Sequence, residues 1–281
     1  MHLTNWQILW GVFGALCVGL SKGGISGLGI AAAPLFALVF PPMESTGLVL
    51  VILICADFVS VALFRRHAAW GHIKRLFPFA ATGVVAGYFV YKWLRPALPA
   101  SFKLAGIAQR HFLLVQQKAQ LAHGQKEFGF LMGAILLALV GVQIWRKEKT
   151  KGDEEKAARL IPHNWWIVAT FGVLAGFTTM LANAAGPVMI IYLLAMRLPK
   201  LEFIGTSAWY FLTLNLFKVP FSYDLGLINP ASLKVDAWFA PVAMLSVPAG
   251  RWLLKFIDQE LFERLALGFT VLAALKLLAG V

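Results

Sequence analysis

The sequence predicts an all-α integral membrane protein of two inverted-topology repeats, each with one broken or re-entrant helix unit plus about three spanning helices. Three observations carry that expectation. Long apolar runs recur in a chain that is 59% hydrophobic and 14% charged, and several approach or exceed the roughly 18 residues that mark a spanning helix. The first apolar unit is interrupted where a membrane helix should be continuous, by five glycines, two serines and Lys22 between Gly19 and Pro34. A comparable interruption returns in the second half, around Thr178, Thr179, Asn183, Ala184, Ala185 and Gly186.

Taken in order, the unit 6–40 splits at 21–26 into apolar halves of 15 and 14 residues. Neither reaches the ~20 residues of a span, and such lengths suit re-entrant segments. Glycine costs about 1 kcal/mol relative to alanine in a helix interior, and a lysine at bilayer depth costs roughly 2.5 to 3.5 kcal/mol. Irregular backbone persists at that depth only where protein buries it or where it lines a watery cavity. The stretch therefore reads as a binding site in a transporter. After Pro41 and Pro42 come the runs 46–64, 73–93 and 128–145, then a basic stretch, 146–159, with Lys147, Lys149, Lys151 and Lys156.

The pattern then returns. A second broken unit, 165–178 with 181–196, is followed beyond Leu198, Pro199 and Lys200 by runs at 203–221, 233–256 and 262–279. Ala33-Pro34-Leu35 matches Gly186-Pro187-Val188, and Glu44 through Gly47 resembles the stretch from Glu202 to Ser207. Lys74 precedes Phe79 by five residues, as Lys234 precedes Phe239. Weak internal symmetry of this kind marks transporter repeats. The expected organisation is a first transmembrane repeat at 1–146, a basic cytoplasmic linker at 147–162 and a second repeat at 163–281. The insertion 102–127 has no counterpart in the second half. Its Leu104, Ile107, Phe112, Leu113, Val115 and Leu121 suit an interfacial helix, and its polar content a solvated connector.

A net charge of +12 would suggest nucleic acid in a soluble protein. Here the cations flank membrane helices, where they set orientation, and no basic groove with interleaved aromatics appears. Inverted halves bring Arg65, Arg66, Lys74, Arg75, Arg197, Lys200, Arg251, Lys255 and Arg264 to the linker's side. Parallel halves would leave several of them outside, so the positive-inside rule prefers inversion, with both termini external. Cys17 and Cys55 lie in apolar runs and read as small buried hydrophobes. No histidine pair has metal-ligand spacing within a helix, so no metal is expected. No nucleotide-binding Gly-x-x-x-x-Gly-Lys-Ser/Thr loop occurs, and no cofactor is expected.

The motif residues themselves carry a family resemblance. Gly19-Leu20-Ser21-Lys22-Gly23-Gly24 with the trailing Pro34, and Gly176-Phe177-Thr178-Thr179-Met180 with Gly186-Pro187, resemble the paired signatures of the TauE/SafE sulfite-exporter family. Gly205-Thr206-Ser207 and Asn215-Leu216-Phe217-Lys218-Val219-Pro220 resemble that family's second half. The resemblance spans nearly the whole chain outside 102–127. It implies movement of sulfur-containing or small organic anions across a bacterial inner membrane by a multi-pass protein. Asn183-Ala184-Ala185-Gly186 departs from the family pattern, where related proteins often carry a histidine or more glycine.

Chemically, the starts of two half-helices, near 26–29 and 183–186, offer free N–H groups and a positive dipole end to an anion. Gly23, Gly24 and Gly27 allow close backbone approach. Ser21, Ser26, Thr178, Thr179 and Asn183 supply neutral donors, Gly186 opens the second half-helix, and Lys22 adds the counter-charge. The same small residues also serve close helix packing, and Lys22 also suits a snorkelling anchor. Asp57, inside an apolar run, is a candidate for a coupling proton or a partner for Lys22; a packing hydrogen bond is the alternative. Asn215 and Lys218 share a helix face and would extend the polar wall, with Lys218 equally suited to an interfacial anchor. Trp209 and Tyr210 read as packing or belt aromatics.

The resulting expectation is a secondary transporter, an exporter of sulfite or an organosulfonate such as sulfoacetate, working by alternating access around a midplane site. An anion channel using the same helix-end cradle is the alternative, and a membrane-embedded enzyme, lacking a nucleophile–base pair, the remoter one. The partners expected are a small anion, the lipid bilayer and protons as coupling ion; nucleic acid is not among them. Oligomeric state stays open, a homodimer included.

Overall fold

The computed structural model describes residues 3–25, 28–94, 107–150, 165–196, 198–253 and 259–279. Ser26, Gly27, Arg197, Lys255, residues 102–106 of the insertion and most of the linker lie outside that range. The described residues form ten α-helices, α1 (Asn5–Lys22), α2 (Leu28–Ala37), α3 (Pro42–Phe64), α4 (Trp70–Leu94), α5 (Ile107–Thr150), α6 (Trp165–Ala182), α7 (Gly186–Ala195), α8 (Lys200–Asp224), α9 (Pro230–Leu253) and α10 (Gln259–Leu278). A single 3-10 turn, Arg65–His67, links α3 to α4.

Both interruptions read from the sequence are helix breaks. α1 starts on a capping box, the Thr4 and Gln7 side chains each satisfying the other's backbone N–H. It ends in a Schellman motif: Ile25 N–H bonds Leu20 O at 3.2 Å and Gly24 N–H bonds Ser21 O at 3.2 Å, with Gly24 at φ 116°. The return of α2 alongside α1 is fixed at the other end, where Gln7 Nε2 donates to Val39 O at 3.1 Å. α6 stops on a simpler left-handed cap. Asn183, at φ 49°, donates its N–H to Thr179 O at 3.1 Å, and asparagine is one of the few side chains that tolerate this conformation.

Among the described residues, four stretches are long and apolar enough to cross a membrane: Pro42–His67, Trp70–Leu94, Gln120–Arg146 and Trp165–Ala182. α8, α9 and α10 are helices where apolar runs were expected, but charges within them lower their apolar character: Lys218 in α8, Asp236 and Arg251 in α9, Arg264 in α10.

α5 differs from the expected start at residue 128. It is one 44-residue helix, about 66 Å long at 1.5 Å per residue, against a hydrocarbon core of about 30 Å. Its Gln125 Oε1 accepts from Met43 N–H at 3.0 Å, and Gly124 lies against the Leu94 carbonyl. The end of the insertion thus packs on α3 and α4 through Gly124 and Gln125, while His123 and Glu127 beside them stay exposed.

Two helix pairs make the most extensive contacts, α4 with α6 and α1 with α9. Glycine makes both close. A Cβ on Gly83 would strike Val173 O, and one on Gly176 would strike Ala80 O. In the other pair, Gly19 faces Ala243 O and Gly23 faces Val247 O. Contacts advance together along each pair (Gly11 with Phe239, Gly19 with Ala243, Gly23 with Val247), so the paired helices run in the same sense. Small residues that admit close backbone approach are the usual glue of helices in lipid.

Candidate functional site

A buried polar chain joins the two helix breaks. Lys22, the last helical residue of α1, places Nζ 2.6 Å from Asp57 Oδ1 on α3. Its charge also lies over the Phe211 ring of α8, 4.1 Å from the centroid, a cation–π contact. The other carboxylate oxygen, Asp57 Oδ2, accepts from Asn215 Nδ2 of α8 at 2.7 Å. One turn further along α8, Lys218 Nζ donates to Asn183 Oδ1 at 2.7 Å, to Thr179 Oγ1 at 3.1 Å and to Asn215 Oδ1 at 3.5 Å. Asn183 Nδ2 continues to Thr46 O of α3 at 2.9 Å.

The chain is shut away from solvent. Asp57 is fully buried, Lys218 is 1% exposed and Asn215 2% exposed, while the Lys22 side chain keeps 12% exposure. Neither lysine therefore acts as an interfacial anchor. A removed charge needs partners, since an isolated ion in a low-dielectric interior costs several kcal/mol even after relaxation. Asp57 supplies that for Lys22. Lys218 is satisfied differently: its three N–H donors meet three neutral oxygens, and among the described residues no carboxylate lies within ion-pair reach.

The remaining sequence candidates divide. Ser21 Oγ donates to Val18 O at 3.1 Å and stands beside Gly29, and Thr178 Oγ1 turns back to Leu174 O at 2.7 Å. Gly23 lies against the α9 backbone and Gly24 closes the α1 cap, so both have packing or capping roles. Gly186 is open: a Cβ there would meet nothing within 4 Å. Ser26 and Gly27 lie outside the described residues. Ser60 adds a support not foreseen, donating from α3 to the Lys22 carbonyl at 3.0 Å. Phe211 was also missed, although its spacing to Asn215 and Lys218 places all three on one helix face. Asp236 of α9 was missed as well; it is 2% exposed and neither carboxylate oxygen has a hydrogen-bond partner.

Helices of spanning length around a buried ionic chain at two helix breaks define a polytopic membrane protein with a polar centre. The model of the sulfite exporter TauE/SafE family matches residues 11–277. The chain belongs to that family of membrane transporters. Among curated proteins and among solved structures, nothing matches it.

Proposed function

We propose that the chain is a secondary transporter that exports a small anion, sulfite or an organosulfonate such as sulfoacetate, across a bacterial inner membrane. The carrying observation is the buried chain from Lys22 through Asp57 and Asn215 to Lys218, which brings two ammonium groups to two facing helix breaks. Transport would proceed by alternating access about that chain, in a protein that is not an enzyme.

Inverted repeats are part of this reading, and three observations support them. Pro41, Glu44, Gly47 and Asp57 recur 158 positions on as Pro199, Glu202, Gly205 and Asn215. The two recurring positions, Asp57 and Asn215, hydrogen-bond to each other, as residues near a pseudo-two-fold axis do. Direction agrees. α1 runs with α9, and α3 ends beside the end of α9, where Arg251 lies 5.3 Å from the Phe64 ring. α4, turned back from α3 by Arg65–His67, runs with α6. α6 therefore opposes α1.

Thermal unfolding of the purified protein tests the reading. The panel is sulfite, sulfate, thiosulfate, sulfoacetate, taurine and acetate, on wild type, Lys22→Ala and Lys218→Ala. A ligand at a hundred times its dissociation constant stabilises by about 2.7 kcal/mol. The expected result is stabilisation of wild type by at least one sulfur anion and its loss in both variants. No shift with any anion would overturn the reading.

A further inference from the structure

Counting charges in the buried chain takes the transport reading a step further, and the step rests on that reading. Lys22 is matched by Asp57 at 2.6 Å. Lys218 meets only the neutral oxygens of Asn183, Thr179 and Asn215. An ammonium has three N–H donors and no acceptor. The two amide oxygens around Nζ, which can only accept, suit the charged form, while the Thr179 hydroxyl can either accept from it or donate. Three residues beyond Asn183, which accepts from this cation, α7 begins at Gly186, where a Cβ would meet nothing within 4 Å. Pro187 has no N–H and Met189 N–H bonds Ala185 O, so the donors of that first turn are Gly186 and Val188. Lys218 and the start of α7 thus belong to the same break, joined through Asn183.

We infer that the site carries one uncompensated positive charge, on Lys218, and so takes a monoanion with Asp57 ionised but a dianion only together with a proton on Asp57. The proton is given up by hydronium or a protonated buffer on the side the dianion enters: one bond to hydrogen breaks there, leaving water or the neutral buffer, and one O–H bond forms on the Asp57 carboxylate. No other covalent bond changes. Neutralising Asp57 releases Lys22 to face the second charge, and the occupied site is electrically neutral in both cases. A net charge left in such a site would carry the desolvation penalty of an unpaired ion.

Other ionisable groups leave this count unchanged. Around Asp57 stand Lys22 from α1 and Lys218 from α8. α6 contributes the neutral Thr179, α2 holds no charged residue, and α5 meets α3 through Gln125. α9 carries Asp236, whose electrostatic neighbour on α3 is Cys55. The turn after α3 carries Arg65, Arg66 and His67, all exposed.

The test is calorimetric titration of the purified full-length protein with methanesulfonate, a fixed monoanion, and sulfate, a fixed dianion near neutral pH. Each is titrated in two amine buffers of different ionisation enthalpy, so that the heat difference reads protons exchanged. Methanesulfonate should bind with no proton uptake. Sulfate should take up one proton per anion, and its affinity should fall by about tenfold per pH unit as pH rises above the range where Asp57 can hold the proton. In Asp57→Asn, sulfate should bind without proton uptake and without that pH dependence. Sulfate binding to wild type with no proton taken up, or uptake that persists in Asp57→Asn, would overturn the inference while leaving anion transport standing. Binding of neither probe, with no stabilisation by any panel anion, would overturn both.

Discussion

Asp57 does two jobs with two oxygens, and each predicts a different mutational cost. Asp57→Ala leaves Lys22 buried without a counter-ion, and removing one partner of a buried pair typically costs about 3–5 kcal/mol. Asp57→Asn keeps the hydrogen-bonding shape and should cost less, so the apparent melting temperatures should fall in the order wild type, Asn, Ala. Asp236 predicts the opposite sign. Its carboxylate is buried with neither oxygen bonded, so Asp236→Leu should hold or raise the melting temperature, the unsatisfied group having cost about 1–3 kcal/mol. A marked loss in Asp236→Leu would mean that the carboxylate has a partner in the working protein. Sequence reasoning reached Lys22, Asp57, Asn215, Lys218, Thr179 and Asn183 because a polar residue in an apolar run stands out by its cost. The Lys22–Asp57 contact was among the alternatives read from the sequence, but the contacts of Asn215 with Asp57 and of Lys218 with Thr179 and Asn183 were not legible. Pairing depends on how α1, α3, α6 and α8 are set against one another, and no local pattern encodes that.

At the scale of elements, glycines of one kind in the sequence have two fates. Gly176 sits where any side chain would collide with the Ala80 carbonyl. Gly176→Ala should therefore part α4 from α6 and destabilise by about 1–3 kcal/mol, as overpacking does. Gly186→Ala meets nothing within 4 Å; it should leave thermal stability nearly unchanged while reducing anion uptake into proteoliposomes. Equal losses of stability in both variants would remove the distinction. The first break was legible from its glycines, serines and short apolar halves. The second was legible from Thr178, Thr179, Asn183 and Gly186, although α6 runs past both threonines to Ala182 before it stops. The length of α5 was not. Residues 107–127 lack the apolar density of a span, and their continuation into α5 follows from helix propagation and from packing of Gly124 and Gln125 at the ends of α3 and α4.

Over the whole molecule, the tight helix pairs do not follow the order of the chain. α9 belongs with α1 and α4 with α6, so each half lends its fourth helix to the other. Motion that opens the centre would then shear the contact between α3 and α8, where Val61 packs on Ala208 and Leu212, rather than the glycine-sealed pairs. In a background lacking Cys17 and Cys55, the double substitution Val61→Cys with Leu212→Cys should block flux when oxidised and regain it on reduction. Flux that survives the cross-link would place the moving boundary elsewhere. The exchange of helices also bears on how the chain enters the bilayer. When α1 leaves the ribosome, Lys22 has no carboxylate to meet until α3 follows, and the glycine face of α1 has no lid until α9 arrives near the end of synthesis. The first hairpin must wait, held by the insertion machinery or tucked at the water interface, and a chain cut short before α9 should be a substrate for membrane quality control rather than a half-built transporter.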